Sequence, residues 1–304
     1  MQHFLTLQDL SAAEFKHLLQ SAAQIKANPS DYAQALAGKS VVMLFEKPSL
    51  RTRVSFDIGI NKLGGHCLYL DQQNGALGVR ESVADFAGNI SCWADAIVAR
   101  TFAHSTIEGL AKHGSVPVIN ALSELYHPCQ GLADWLTLSE HFDDLASIKL
   151  AYVGDGNNVT HSLMFGAALA GASLVICCPK GHFPDAQMVS QAQAIAAEHG
   201  GSIELSSAPS ELGQLDAIYT DTWISMGDST KLSDIETKFM PFQVNAEMMA
   251  QTQAQHFMHC LPAHRGEEVT AEVIDGPKSR VLQQAENRMH AQNAVLVKLF
   301  ESGE

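Results

Sequence analysis

"VVMLFEKPSLRTRVSF" (residues 41–56) holds five apolar residues in a row, a turn marked by Pro48, and then a helix-like start rich in hydroxyls and arginine. A run that is apolar at every residue suits a strand buried on both faces, as in a parallel sheet covered by helices. In open sheets of that kind, ligands bind beyond the carboxyl ends of the strands. A helix opening here would present free N–H groups and a positive dipole end to an anion. Ser49 and Thr52 would add hydroxyls, and Arg51 could fork onto phosphate oxygens. The same stretch also reads as a capped helix with surface arginines. Residues two apart on a helix point to nearly opposite sides, so Arg51 is assigned to the ligand and Arg53 to a structural carboxylate.

The chain has 304 residues, 46% hydrophobic and 17% charged, with 19 basic residues against 33 acidic ones and a formal net charge of −14. This is the composition of an ordinary globular protein, long enough for one large domain or two smaller ones. The acidic excess argues against a general binder of nucleic acid or of anionic membranes, so any anion site is a local cluster. No apolar run approaches a bilayer span, and the first residues lack the basic and apolar regions of a signal peptide. Cys67, Cys92, Cys129, Cys177, Cys178 and Cys260 are scattered without zinc-like spacing, which reads as reduced thiols in a cytoplasmic protein. His259 and His264 are five apart and flank a proline, so no shared metal-binding helix face is expected, and no metal or cofactor is assigned.

The first helix is written in "SAAEFKHLLQSAAQIK" (11–26): Ser11 and Glu14 form a capping-box pattern, and Phe15, Leu18, Leu19, Ala22 and Ile25 recur at helical spacing. Strand-like runs follow at Val41–Phe45, Cys67–Leu70, Ala96–Ala99 and Val116–Ile119, then at Leu150–Val153, Leu174–Cys178, Ala217–Tyr219 and Phe257–Cys260. Helix-like segments alternate with them, and four runs fall on each side of about residue 140. The expected fold is α/β with two domains, each a parallel sheet with helices on both faces, and an active site in the cleft between them. The first domain is expected over residues 1–140, with a C-terminal helix at 285–304 packing back on it, and the second over 141–284. The helix-like stretch 131–142 would connect the two.

Several polar residues stand just after these runs. Arg100 ends one of them, where it could meet a ligand or simply solvent. His127 and Gln130, in "HPCQ", could donate to a carbonyl oxygen and bind an amide. "VGDGNNVTHS" (153–162) has Val159 where a dinucleotide fingerprint needs its third glycine, which argues against a nicotinamide enzyme. Asn158 there either presents an amide to a substrate or only opens a helix. Asp221 either binds a cationic amine or caps a turn. Cys260 reads as a buried structural thiol or as a reactive one, and Arg288 as a surface ion pair by default.

Taken together, "FEKPSLRTRVSF", "RTF", "HPCQ", "GDGNN", "DTWISMG", "HCLPAHRGEE" and "AENRMHAQ" occur in order between residues 45 and 292. In this the chain resembles the ornithine carbamoyltransferases of the aspartate/ornithine carbamoyltransferase family. The resemblance implies that Ser49, the Leu50 backbone, Arg51 and Thr52 hold the phosphate of carbamoyl phosphate. Arg100, His127 and Gln130 would hold its carbamoyl group, helped by Arg288 and the backbone carbonyls of Cys260 and Leu261. Asn158, Asp221, Ser225 and Met226 would bind L-ornithine. Arg51, Arg100, His127 and Cys260 would carry the catalysis. The product would be L-citrulline, within arginine biosynthesis, and the protein would be a homotrimer, or a multiple of trimers, sharing sites at its interfaces. Three departures from the family pattern stand out, one of them Thr160 where a small apolar residue is common. Leu50 occupies a usual threonine position, where its backbone N–H survives. Ala76 stands where a glutamine or histidine commonly reaches the neighbouring subunit's site.

Overall fold

The computed structural model describes residues 1–70, 77, 81–225 and 230–301. By internal contacts the chain divides into two compact units, Met1–Leu136 with Asn287–Glu304, and Thr137–Glu286.

The first unit runs α1 (Ala12–Ala27), β1 (Ser40–Phe45), α2 (Leu50–Lys62), β2 (His66–Leu70), α3 (Val83–Ile90), β3 (Ala96–Arg100), α4 (His104–His113), β4 (Val118–Leu122) and α5 (Pro128–Ser139), whose last residues belong to the second unit. The capping box of α1 forms as expected: Glu14 N–H donates to Ser11 Oγ, and Ser11 N–H donates to the Glu14 carboxylate at 2.9 Å. The apolar spacing does its work too, because Phe15, Leu18, Leu19, Ala22 and Ile25 are all buried. The strands form one parallel sheet in the order β2-β1-β3-β4. The unbroken apolar runs of β1 and β3 are central, and β2, with His66 and Leu68 exposed, is an edge.

The second unit runs β5 (Lys149–Val153), α6 (Asn158–Ala170), β6 (Ser173–Cys177), α7 (Ala186–His199), β7 (Ser202–Ser206), β8 (Ala217–Thr220), α8 (Leu232–Phe239), α9 (Ala246–Gln251), β9 (His256–His259) and α10 (Ala271–Ile274). Its parallel sheet has the order β7-β6-β5-β8-β9. The sequence pattern misses β7, "SIELS", for a physical reason. It is an edge strand with one fully buried residue, Ile203, and its polar residues mask the apolar signature of the central strands. The C-terminal helix α11 (Val281–Glu301) begins in the second unit and, from Asn287 onward, belongs to the first.

In the first unit α11 lies against α2 at Gly59, which is buried. A Cβ built on Gly59 runs into Asn293 Oδ1, and Asn293 is itself buried, so neither side has room to give. Glycine is used here to bring two helix backbones close together. Gly59→Ala is expected to destabilise the first unit by roughly 1–3 kcal/mol through overpacking; a thermal melt of the purified variant, read against the parent, checks this.

Candidate active site

Both sheets place their polar clusters by the same rule. In the order β2-β1-β3-β4, the chain winds outward from β1 in one direction and from β3 in the other, which opens a crevice at the carboxyl ends of β1 and β3. In β7-β6-β5-β8-β9 the equivalent reversal lies between β5 and β8. The candidate residues lie at these two points.

In the first unit, Ser49 caps α2, its Oγ accepting the Thr52 N–H at 3.4 Å, so the helix opens directly after β1 as the sequence suggests. Leu50 is 74% exposed and contributes no polar side-chain atom. Arg51 is half-buried and Thr52 buried. Thr52 Oγ1 accepts from Arg288 Nη2 at 2.6 Å, and Arg288 Nη1 donates to Gln130 Oε1. Gln130 Nε2 in turn donates to Asp134 Oδ1 at 2.7 Å. Arg288 is therefore no surface arginine: it is 4% exposed and clamped between α2 and α5. Arg53 also departs from expectation. Its guanidinium lies 3.8 Å from the centroid of the Tyr69 ring, a cation–π contact in place of the expected carboxylate.

Arg100 ends β3 with only 5% of its surface exposed, and its Nε has no hydrogen-bond partner among the described residues. Burial, then the charges of Arg288 and Arg51, push its guanidinium down to about 10. Neither Arg51 nor Arg100 forms a salt bridge among the described residues. His127 is buried at the start of α5, and burial, then Arg288 and Arg100, hold its imidazole well below its ordinary value. It is a neutral ring at physiological pH and can act as a donor to a carbonyl oxygen. The arrangement is a nest of positive charge with neutral donors at its edge, chemistry suited to an anion.

The sequence reading missed one residue of this cluster. Glu46 is buried, accepts the Phe102 N–H at 2.9 Å and donates its own N–H to the Arg100 carbonyl at 2.8 Å. It ties the ends of β1 and β3 together and fixes where Arg100 emerges. A glutamate directly ahead of a phosphate-binding pattern was the available signal.

In the second unit the strand β5 runs into Gly154, at φ +138°, a conformation that favours glycine. Asn157 caps α6: its Oδ1 accepts the N–H groups of Val159 and Thr160, and its Nδ2 donates to Asp221 Oδ2 at 2.9 Å. Thus Asn157 makes the contact that joins the two sides of the crevice, while Asn158 begins the helix, half-buried. Asp221 is buried after β8, and its Oδ1 accepts from the Thr222 N–H at 2.8 Å and the Cys260 thiol at 3.0 Å. Ser225 is half-buried; Met226, like Ala76, lies outside the described residues. Asp221, His259 and Cys260 bring three potential ligand atoms within 4.8 Å of one another. Both ring nitrogens of His259 are engaged, with Leu261 and Glu268, and the Cys260 thiol donates to Asp221.

These features are those of a carbamoyltransferase, and the chain belongs to the aspartate/ornithine carbamoyltransferase family. Its carbamoyl-P binding domain matches residues 2–140 and its Asp/Orn binding domain residues 146–299. The ornithine carbamoyltransferase of Shewanella oneidensis is 66% identical over 99% of this chain and 100% of its own length, and that of Moritella abyssi 57% identical over the same shares. Among solved structures, the ornithine carbamoyltransferase from Pyrococcus furiosus superposes with a TM-score of 0.94 at 46% identity, covering 97% of this chain and 96% of that one.

Two histidines whose pKa is lowered set a pH dependence. His127 lies well below the ordinary value, and His256, through burial and then the neighbouring His141 and Arg280, is lowered to about 4. The unfolded chain takes up these protons near pH 6.5 while the folded chain does not, so stability is full above about 6.5 and falls as pH drops below it. Melting temperatures measured from pH 7.5 down to 4.5 are expected to decline from about pH 6.5; a flat profile contradicts the assignment.

Proposed function

We propose that this chain transfers the carbamoyl group of carbamoyl phosphate to the δ-amine of L-ornithine, giving L-citrulline and phosphate. The observation that carries the reading is the buried Arg100, with an unpartnered Nε, alongside Arg51 and Arg288. Ser49, the Leu50 backbone N–H, Arg51 and Thr52 bind the phosphate. Arg100, His127 and Gln130 bind the carbamoyl group, with Arg288 holding Thr52 and Gln130 in place. The backbone carbonyls of Cys260 and Leu261 accept from the carbamoyl amide. Asn158, Asp221, Ser225 and Met226 bind ornithine, its positively charged amine directed by the Asp221 carboxylate.

The attacking δ-amine, unlike the charged α-amine directed by Asp221, must be neutral; its free pKa is about 10.4, so the site must favour the neutral form. The amine nitrogen attacks the carbamoyl carbon, and negative charge gathers on the carbonyl oxygen, where Arg100 and His127 stabilise it. The carbon–oxygen bond to phosphate then breaks. The departing phosphate accepts the amine proton, and Cys260, hydrogen-bonded to Asp221, orients the amine without forming a covalent bond.

We further propose a homotrimer acting in the cytoplasm within arginine biosynthesis. Val54 and Ile58 stand exposed one turn apart on α2, and Leu68 is exposed on the edge strand β2. Apolar side chains on one helix and an edge strand suit burial against a second copy. Free thiols at all six cysteines agree with a reducing compartment.

A citrulline assay across ornithine, its N-acyl derivatives and putrescine tests the substrate; ornithine giving no citrulline ends this reading. Arg100→Ala is expected to lower kcat by about two to three orders of magnitude, the range for loss of one preorganised donor. Asp221→Asn is expected to raise the ornithine KM by roughly tenfold or more while leaving the carbamoyl phosphate KM nearly unchanged. Ile58→Asp is expected to shift the protein to smaller species by light scattering.

A further inference from the structure

The second unit contains a buried pair that the proposed reaction does not use directly. His259 and Glu268 have no exposed surface, and between them runs the turn that carries Cys260 and Leu261. Leu261 has φ +60°, a left-handed conformation uncommon for a residue with a side chain, and its peptide bond to Pro262 is cis. A side-chain-bearing residue held at positive φ needs fixed partners.

Each end of the turn is fastened. The Leu261 N–H donates to His259 Nδ1 at 2.9 Å. Because Nδ1 accepts, the ring proton resides on Nε2, which donates to Glu268 Oε1 at 3.2 Å. The same oxygen accepts the His264 N–H at 2.5 Å, so one carboxylate holds both ends of the segment 259–264. Burial pushes the Glu268 carboxyl up, but the hydrogen bonds from His259 and His264 outweigh it and keep the group ionised. The His259 N–H donates to Gln284 Oε1 at 2.9 Å, which fixes the strand end from the other side.

We propose that His259 and Glu268 are positioning residues: the neutral Nε2–H imidazole, oriented by Glu268, sets the Leu261 peptide so that the Cys260 thiol and the Cys260 and Leu261 carbonyls stand in their working directions. This rests on the transferase reading above. A loose turn would leave substrates bound but poorly aligned, so the loss falls on kcat more than on KM.

The ring's two roles can be separated by amides. In His259→Asn the side-chain oxygen approximates Nδ1 and keeps the acceptor for Leu261. In His259→Gln the side-chain NH2 approximates Nε2, keeping the donor to Glu268 but leaving the Leu261 N–H without its acceptor. His259→Gln is expected to lower kcat roughly thirtyfold, the scale of a buried donor left unsatisfied, with the ornithine KM changed less than about threefold. His259→Asn is expected to retain most of the turnover. Hydrogen exchange read by mass spectrometry should find the Leu261 amide protected in the Asn variant and released in the Gln variant. Equal losses of kcat in both variants, or a protected Leu261 amide in His259→Gln, would overturn the proposal. If neither variant folds, 15N NMR of the unmodified protein still decides, since a His259 ring protonated on Nδ1 at neutral pH is incompatible with it. An unmodified protein that makes no citrulline yet keeps the Nε2–H tautomer and the protected amide refutes the transferase reading and leaves the positioning of the turn intact.

Discussion

Holding Arg51, Arg100 and Arg288 close together is the constraint around which the first unit is organised. Burying the Arg100 guanidinium with no salt bridge among the described residues is costly, and the nearby charges of Arg288 and Arg51 raise the cost further, as its lowered pKa records. The fold supplies neutral oxygens to part of this cluster. Arg288 is held by the Thr52 hydroxyl and the Gln130 amide, and Asp134 acts one step removed, through Gln130. A carboxylate placed directly on Arg51 or Arg100 would relax the cluster and weaken its attraction for an anion. Positive charge is left for the ligand to neutralise, in a chain whose overall charge is strongly negative.

The second unit uses the opposite sign by the same means. Asp221 is a buried carboxylate whose partners are an amide, a backbone N–H and a thiol, and none of these is a cation. Hydrogen bonds to an ionised carboxylate hold it in place without consuming its charge. The oxygen acceptors thus stay able to attract a positively charged amine. Arginine beside this aspartate would make a more stable pair and a worse binding group.

Much of this was legible in the sequence because unbroken apolar strands are easy to read, and their carboxyl ends indicate where chemistry belongs. Ser49, Arg51, Thr52, Arg100, His127 and Asp221 each follow or end such a run. What stayed hidden depends on contacts between residues distant along the chain. Arg288 reads as a surface residue on its own helix, and only its approach to Thr52 and Gln130 buries it. The sequence points Arg53 to a carboxylate because charge is visible in a sequence and the face of Tyr69 is not. In "GDGNN" the pattern points to a helix opening but cannot say which asparagine faces Asp221, and the one that does is Asn157. The edge strand β7 escaped because burial on one residue leaves no periodic signal.

His127 and His259 show how the chain keeps proton transfer away from its own side chains. His127 is kept neutral by burial among positive charges, which leaves it a hydrogen-bond donor that does not titrate at working pH. His259 has one nitrogen accepting from Leu261 and the other donating to Glu268, so its proton already has a fixed place. The Cys260 thiol is directed at Asp221, where its hydrogen is likewise committed. A reaction whose leaving group is phosphate, itself able to accept a proton near neutral pH, needs no further base. The protein's contribution reduces to charge placed in advance and backbone held in an unusual shape, and both depend on neutral hydrogen bonds.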